Sequence, residues 1–343
     1  MSRPPRERFD FRGRLTARTA LLGAAATLIV AIGLWRAASS FDLAAVRASI
    51  GAADGALLLV ALLASAATYP LRGARWRTLL SLAGLRISGR AATEILTLSF
   101  WVNVLLPAKL GDLYRAWLLR ANGAANFGSA MGSVVAERLV DLATVALLGA
   151  ASALVAVGGA HTGAVLALAS LALVVAALAL ALLLAARGTG DALLRHLPIP
   201  SRLRETIAAG LDTLRAGSGG VAVVRTTPYT LAIWLLEALR LGVVATALGL
   251  FQVAPEAGAI GISATLFTAL VAAVLTTVPF TPAGLGIVEA GTVGILVGIF
   301  GLRAESAIAL ALLDRAVNVG SLLLGGGLLF AVSPYRRGRG RLR

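Results

Sequence analysis

Cysteine is absent from this 343-residue chain, which excludes disulfides and thiol chemistry. Histidine occurs only as His161 and His196, far apart and in expected loops, so a histidine metal centre is not expected. Lysine occurs once, as Lys109, although lysine and arginine together number 31. That lysine follows alanine, so the chain has no GK[ST] phosphate loop and an ATP-driven pump is excluded. No two aspartates are adjacent or one apart, which removes the paired acidic motif by which a membrane prenyltransferase would hold magnesium diphosphate. Charged residues are only 14% of the chain, where soluble domains carry roughly a quarter. The longest polar interval, 187–228, has room for one amphipathic helix and little more. No large soluble domain and no cofactor is expected.

What fills the chain instead is apolar: 58% of residues are hydrophobic and the mean hydropathy is +0.88. Runs of roughly 18 or more apolar residues are candidate membrane spans. Residues 19–35, 164–186, 229–250 and 259–278 qualify; 55–71 is short, and 129–157 and 304–332 are long but carry charges. The net charge of +15 is clustered. Six arginines precede the first span, five follow the last, five lie between Arg72 and Arg90, and six between Arg187 and Arg225. Loops 157–163 and 252–258 carry no basic residue. This asymmetry predicts that both termini and the two arginine-rich intervals face the cytoplasm. It marks a multi-pass protein of the cytoplasmic (inner) membrane, with no nucleic-acid partner. The first hydrophobic stretch is too long for a cleavable signal. The richness in alanine and arginine suggests a GC-rich bacterial genome.

Two segments interrupt this pattern in matching fashion, Pro107-Ala108-Lys109-Leu110-Gly111 and Pro282-Ala283-Gly284-Leu285-Gly286. Proline removes a backbone donor and glycine tolerates strained backbone, so each should break its helix inside the membrane zone. Such breaks are tolerated only where protein buries them or a cavity adjoins them. The stretch 92–120 reads as a re-entrant hairpin, down through 95–106 and back through 113–119. The stretch 259–301 reads either as a second hairpin from the opposite face or as two full crossings. A charged helix follows each break, with Glu137-Arg138 and Asp141 after the first and Asp314-Arg315 after the second. The expected fold is an all-α polytopic membrane protein of six to eight transmembrane helices, with two broken or re-entrant segments and a weak inverted repeat. Residues 1–18 form a basic N-terminal segment, 19–332 the membrane domain and 333–343 a basic tail.

The run from Asn103 through Leu106-Pro107-Ala108-Lys109-Leu110-Gly111-Asp112 to Arg115 resembles the first signature of the flippase-like membrane family. That family includes the membrane half of bacterial lysylphosphatidylglycerol synthases. Glu137-Arg138 with Asp141, then Thr281 to Gly286 leading to Glu289-Ala290-Gly291, then Asp314-Arg315 resemble the later signatures in the same order. The resemblance covers roughly residue 72 to the end. The family often has glycine where Ala108 and Ala283 stand, swaps that keep the break and stiffen it. The synthases continue into a soluble aminoacyl-transferase domain, whereas this sequence ends at Arg343, so transfer from lysyl-tRNA is not expected. The resemblance implies the membrane activity alone, translocating or binding a lipid with a polar head.

The charged residues suit that role. A charge at mid-bilayer costs at least about 2.5 kcal/mol and normally faces a cavity or a partner. Asp112 and Arg115, three apart, share a helix face, as do Glu137 and Asp141, four apart. Helices restarting after Gly111 and Gly286 would point free amides at a lipid phosphate, with Lys109, Arg115, Arg138 or Arg315 as counter-charge. Asn103, Pro107, Lys109, Gly111, Asp112, Arg115, Glu137, Arg138, Asp141, Pro282, Gly284, Gly286, Glu289, Asp314 and Arg315 are therefore the expected substrate-binding set. Each carboxylate is expected to hold the arginine near it in sequence.

Plainer readings stand beside these. The Glu137–Arg138–Asp141 and Asp314–Arg315 groups also fit structural ion pairs, and Glu237 with Arg240 reads as one. Asp112 also fits an N-cap. Gly128 and Gly132 read as helix packing, and Trp76, Trp101 and Trp117 as interface anchors. The expected function is a lipid flippase-like transporter, not an enzyme and with no catalytic residue, moving an anionic or polar-headed lipid through a central charged cavity. The alternatives are a membrane partner that presents lipid to a separate lipid-modifying enzyme, and a membrane glycosyltransferase acting on a lipid acceptor.

Overall fold

The computed structural model describes residues 41–156, 188–252, 259–276 and 281–338, with a few isolated positions between 170 and 185 and at 340 and 342. The expected first span at 19–35, the segment 1–18, His161 and most of the span 164–186 lie outside the described residues.

The described chain is helical, with no strand beyond one isolated bridge between Phe251 and Ile260. A short helix α1 (Leu43–Gly51) precedes the long α2 (Gly55–Leu82). Then come α3 (Gly89–Leu105), α4 (Leu110–Ala121) and α5 (Phe127–Ala156). The polar interval holds α6 (Gly190–His196) and α7 (Ser201–Gly217). The second half runs α8 (Gly220–Ala247), α9 (Ile262–Leu275), a 3-10 turn at Pro282–Gly284, α10 (Ile287–Gly298) and α11 (Ala304–Val332). A π-helical turn at Ala316–Gly320 interrupts α11 just past Arg315. Asp42, Asp54 and Ser88 cap α1, α2 and α3 by accepting backbone N–H bonds in the first turn. Among the described residues α2, α8 and α11 are long and apolar enough to cross a membrane. The 30-residue α5 is longer still and carries Glu137, Arg138 and Asp141.

Two expected boundaries move. The short span at 55–71 continues to Leu82, so Arg72 and Arg75 are not in a cytoplasmic loop but buried in α2. The span expected from Tyr229 starts instead at Gly220. Both longer helices pass through a proline, Pro70 in α2 and Pro228 in α8. Proline is tolerated inside membrane helices because neighbouring groups satisfy the carbonyl it frees.

The first break forms the expected hairpin. At 1.5 Å per residue, α3 and α4 are about 25 and 18 Å long, too short to cross a hydrocarbon core of about 30 Å. They pack against each other. In the second half α9 and α10, about 21 and 18 Å by the same rise, also pack together, so 259–301 takes the hairpin form rather than two full crossings. Gly111 lets the arms of the first hairpin close, because a Cβ there would run into the Ser99 carbonyl oxygen and the Asn103 side chain.

The halves therefore repeat one plan: a 28-residue helix, a short hairpin, then a long charged helix. α2 and α8 lie against each other. α5 packs on α9, and the end of α11 packs on α3, so the last helix of each half rests on the first arm of the other half's hairpin. One apolar cluster, with Trp76, Ile95, Leu98 and Leu118, ties α2 to the first hairpin. Another, with Ala61, Leu241, Leu296 and Leu310, ties α2 to α8, α10 and α11. Gly128 and Gly132 serve close packing as expected, since a Cβ on either would meet the α7 backbone at Thr206 or Gly210. Leu324, Leu328 and Val332, each more than 70% exposed, are among the apolar side chains on the outer surface, as lipid contact requires.

Candidate functional site

Both breaks are built on left-handed backbone. Ala108 and Lys109 have φ of 58° and 55°, and Ala283 and Gly284 have 53° and 71°. The alanines at the second position of each motif thus share one left-handed conformation, which turns the chain between the arms of each hairpin.

Each break is held by its own latch. In the first, Asn103 Oδ1 accepts the Gly111 N–H at 2.8 Å and Asn103 Nδ2 donates to Asp112 at 3.3 Å. Arg138 grips Asp112 with Nε at 3.1 Å and Nη2 at 2.9 Å. In the second, Glu289 Oε2 accepts the Gly286 N–H at 2.5 Å while its Oε1 accepts from Arg315 Nε at 2.6 Å. Arg315 Nη2 also donates to the Ala283 carbonyl at 2.8 Å. Carboxylate and arginine are 26 residues apart in both latches. The amides expected to be free at Gly111 and Gly286 are therefore already bonded to side chains.

The acid that precedes each latch arginine turns the other way. Glu137 accepts from Arg75 and Arg115, each at 2.7 Å. Arg75 also binds Asp141 through two nitrogens, with Nη2 at 2.8 Å from Oδ2, and donates to Thr230. Asp314 accepts from Arg240. Arg240 further pairs with Glu237 at 2.9 Å, and Arg72 pairs with Glu237 at 2.8 Å. So the acid–arginine dipeptides Glu137-Arg138 and Asp314-Arg315 do the same work in the two halves. The acid binds an arginine of the preceding 28-residue helix, and the arginine binds the hairpin.

Sequence proximity misassigned most of these partners. Asp112 goes to Arg138 rather than Arg115, and Arg115 goes to Glu137. Asp112 lies inside the first turn of α4, whose N-cap position is Lys109. Glu237 and Arg240 do pair, but within a larger network. Trp76 is not an interface anchor. It is fully buried, donates to Ser133 at 3.1 Å and lies under the Arg115 guanidinium at 4.9 Å.

Between the two hairpins and α2, α5, α8 and α11 lies a cavity of about 420 Å³. Of the expected residues Asn103, Lys109, Asp112, Arg138, Asp141, Asp314 and Arg315 reach it, together with Ala283 of the second break. Arg115, Glu137 and Glu289 stand behind its wall, as do the prolines and glycines of the breaks. Sequence reasoning missed Arg72 as a lining residue and took Glu237 and Arg240 for a structural pair only. It missed the aromatic wall of Tyr69, Phe100 and Trp234 altogether. Arg72 lies 5.6 Å from the ring centres of both Phe100 and Trp234. The available signal was a pair of ionisable residues one turn apart in each long helix, Arg72/Arg75 and Glu237/Arg240.

An all-α, multi-pass membrane protein with two interrupted hairpins closing on a charged cavity is the class that fold and site define. Residues 23–326 match the lysylphosphatidylglycerol synthase TM region, and the chain belongs to that family. It is 27% identical over 349 residues to the glycosyltransferase AglD of Haloferax volcanii, a match covering 92% of this chain and 54% of that protein. The chain thus spans about half the length of that relative. A UPF0104 membrane protein of Methanocaldococcus jannaschii is 25% identical over 239 residues, covering 68% of this chain and 94% of that one. The expectation that the chain is not an enzyme is overturned by the first of these. A relative aligned along nearly the whole chain carries an enzyme's name, and shared membrane architecture does not separate lipid carriage from lipid chemistry.

Proposed function

We propose that the chain moves a lipid with an anionic or polar head between leaflets, the head passing through the cavity while the tails stay in the bilayer. The observation that carries this reading is the meeting of two broken hairpins on one charged cavity enclosed by apolar helices. Paired interruptions in the two halves of a membrane protein are the usual mark of a translocation site, and ionisable groups at that depth are retained for function. The arginine clusters favour a cytoplasmic membrane with both termini inside, and the hairpins then enter from opposite faces.

The test is leaflet exchange of headgroup-labelled phospholipids and polyprenyl-phosphate lipids in proteoliposomes, comparing wild type with Lys109→Ala and Arg315→Ala. Faster exchange by wild type, lost in both variants while each still folds and inserts, is the expected outcome. No exchange of any lipid, with or without a proton gradient, sinks the reading.

The similarity to AglD favours a second reading, in which the cavity holds a lipid acceptor for sugar transfer. Release of nucleotide from a nucleotide sugar, dependent on added lipid phosphate, would support it.

A further inference from the structure

The charges lining the cavity do not cancel. On the anionic side are Asp112, Asp141, Glu237 and Asp314, and each is bonded to an arginine. The four lining arginines are likewise all bonded to carboxylates. Lys109 lines the same space and makes no ion pair among the described residues. The layer behind the wall restores no balance, because Arg75 and Arg115 there are offset by Glu137 and Glu289. Among the described residues the site therefore carries one surplus positive charge, located on one ammonium group.

We infer that the cavity selects a lipid headgroup of net charge −1, a phosphodiester with Lys109 as its counter-ion, and discriminates against headgroups that carry an amine. An unpaired charge in an apolar enclosure is costly until it is matched, and a phosphodiester matches it one for one. A zwitterionic head leaves the surplus in place, and an aminoacylated head adds to it. A phosphate monoester, at about −1.5 to −2 near neutrality, overshoots. The lining arginines add no surplus charge, since each is already paired with a carboxylate. Nor is there a second such cation among the described residues: the residue of the second break that matches Lys109 is Gly284, with the same left-handed backbone and no side chain. One headgroup therefore binds per chain, on the side of the first hairpin. The cavity volume of about 420 Å³ lies near the lower end of the range for small-ligand pockets, roughly 300–1,000 Å³, which suits a headgroup without its tails.

This inference rests on the reading of the cavity as a lipid-headgroup site, and binding separates it from transport. Purified protein in detergent is offered, in competition and read by native mass spectrometry, phosphatidylglycerol, a polyprenyl-phosphoryl hexose, phosphatidylethanolamine and lysylphosphatidylglycerol. The first two share the monoanionic phosphodiester and differ in their lipid, so the stronger of them names the source. At least one should bind about tenfold more tightly than either amine-bearing lipid. Lys109→Gln should erase that preference and Lys109→Arg should keep it. Comparable binding of phosphatidylethanolamine or lysylphosphatidylglycerol by wild type overturns the inference, as does an unchanged preference in Lys109→Gln. The wild-type competition decides on its own if the Gln variant does not fold. Selective binding without leaflet exchange leaves the inference standing and removes the transport reading; exchange without selectivity does the reverse.

Discussion

Ala108 and Ala283 sit where an L-residue with a Cβ is at a disadvantage, at φ of 58° and 53°. Left-handed backbone costs such a residue about 1–2 kcal/mol. Replacing either alanine by glycine should stabilise the protein by about 1 kcal/mol, read as a rise in unfolding temperature in detergent. Gly111→Ala should act in the opposite direction, because the new Cβ meets the Ser99 carbonyl. Overpacking of that kind costs about 1–3 kcal/mol. The single lysine and the two Pro-Ala-x-Leu-Gly motifs were legible in the sequence because both depend on local chemistry. A proline, a glycine and an unusual charge carry their meaning without a partner.

At the scale of elements the ion pairs decide. Arg75 is the shared partner of Glu137 and Asp141 at the buried junction of α2 and α5. Arg75→Ala strands Asp141 and leaves Glu137 with Arg115 alone, and breaking a buried pair by removing one partner costs about 3–5 kcal/mol. Arg90, 83% exposed and paired with Glu94 one turn away, is the control. Its alanine variant should cost no more than about 1 kcal/mol. Thermal unfolding of the two variants side by side checks both. The same contrast explains what the sequence hid. Arg72 and Arg75 read as a cytoplasmic flank because arginines usually end a span. They are buried because their carboxylate partners lie 62 or more residues away. Helix periodicity shows which side chains share a face, not which other helix that face meets, so the hairpins could be anticipated and the pairing could not.

Across the whole molecule the chain closes on itself. Tyr335 and Leu342 are buried in the cluster that supports the first hairpin. The Leu342 carbonyl accepts from the Ser88 N–H at 2.6 Å, and Asn122 binds both the Tyr335 carbonyl and the Gly340 N–H, each at 2.9 Å. Ser88 caps α3 and Asn122 ends α4, so the tail ties together the two roots of that hairpin. Deleting residues 334–343 should raise amide exchange at 88–95 and 118–124 while leaving α9 and α10 unchanged, as hydrogen-exchange mass spectrometry would show.

On the proposed transport reading, Lys109 would also set the response to voltage. One elementary charge carried through the full membrane field exchanges about 2.3 kcal/mol per 100 mV. If the first break carries Lys109 across the field with its phosphodiester, the travelling unit would be neutral, and a potential would have nothing to pull on. Without it the vacant site carries a whole positive charge, drawn toward the negative side. In vesicles held at a potassium diffusion potential, exchange should be indifferent to voltage while loaded steps limit the rate, and should become voltage-dependent once the empty site's return does. On that reading the single lysine would be the gating charge of the cycle.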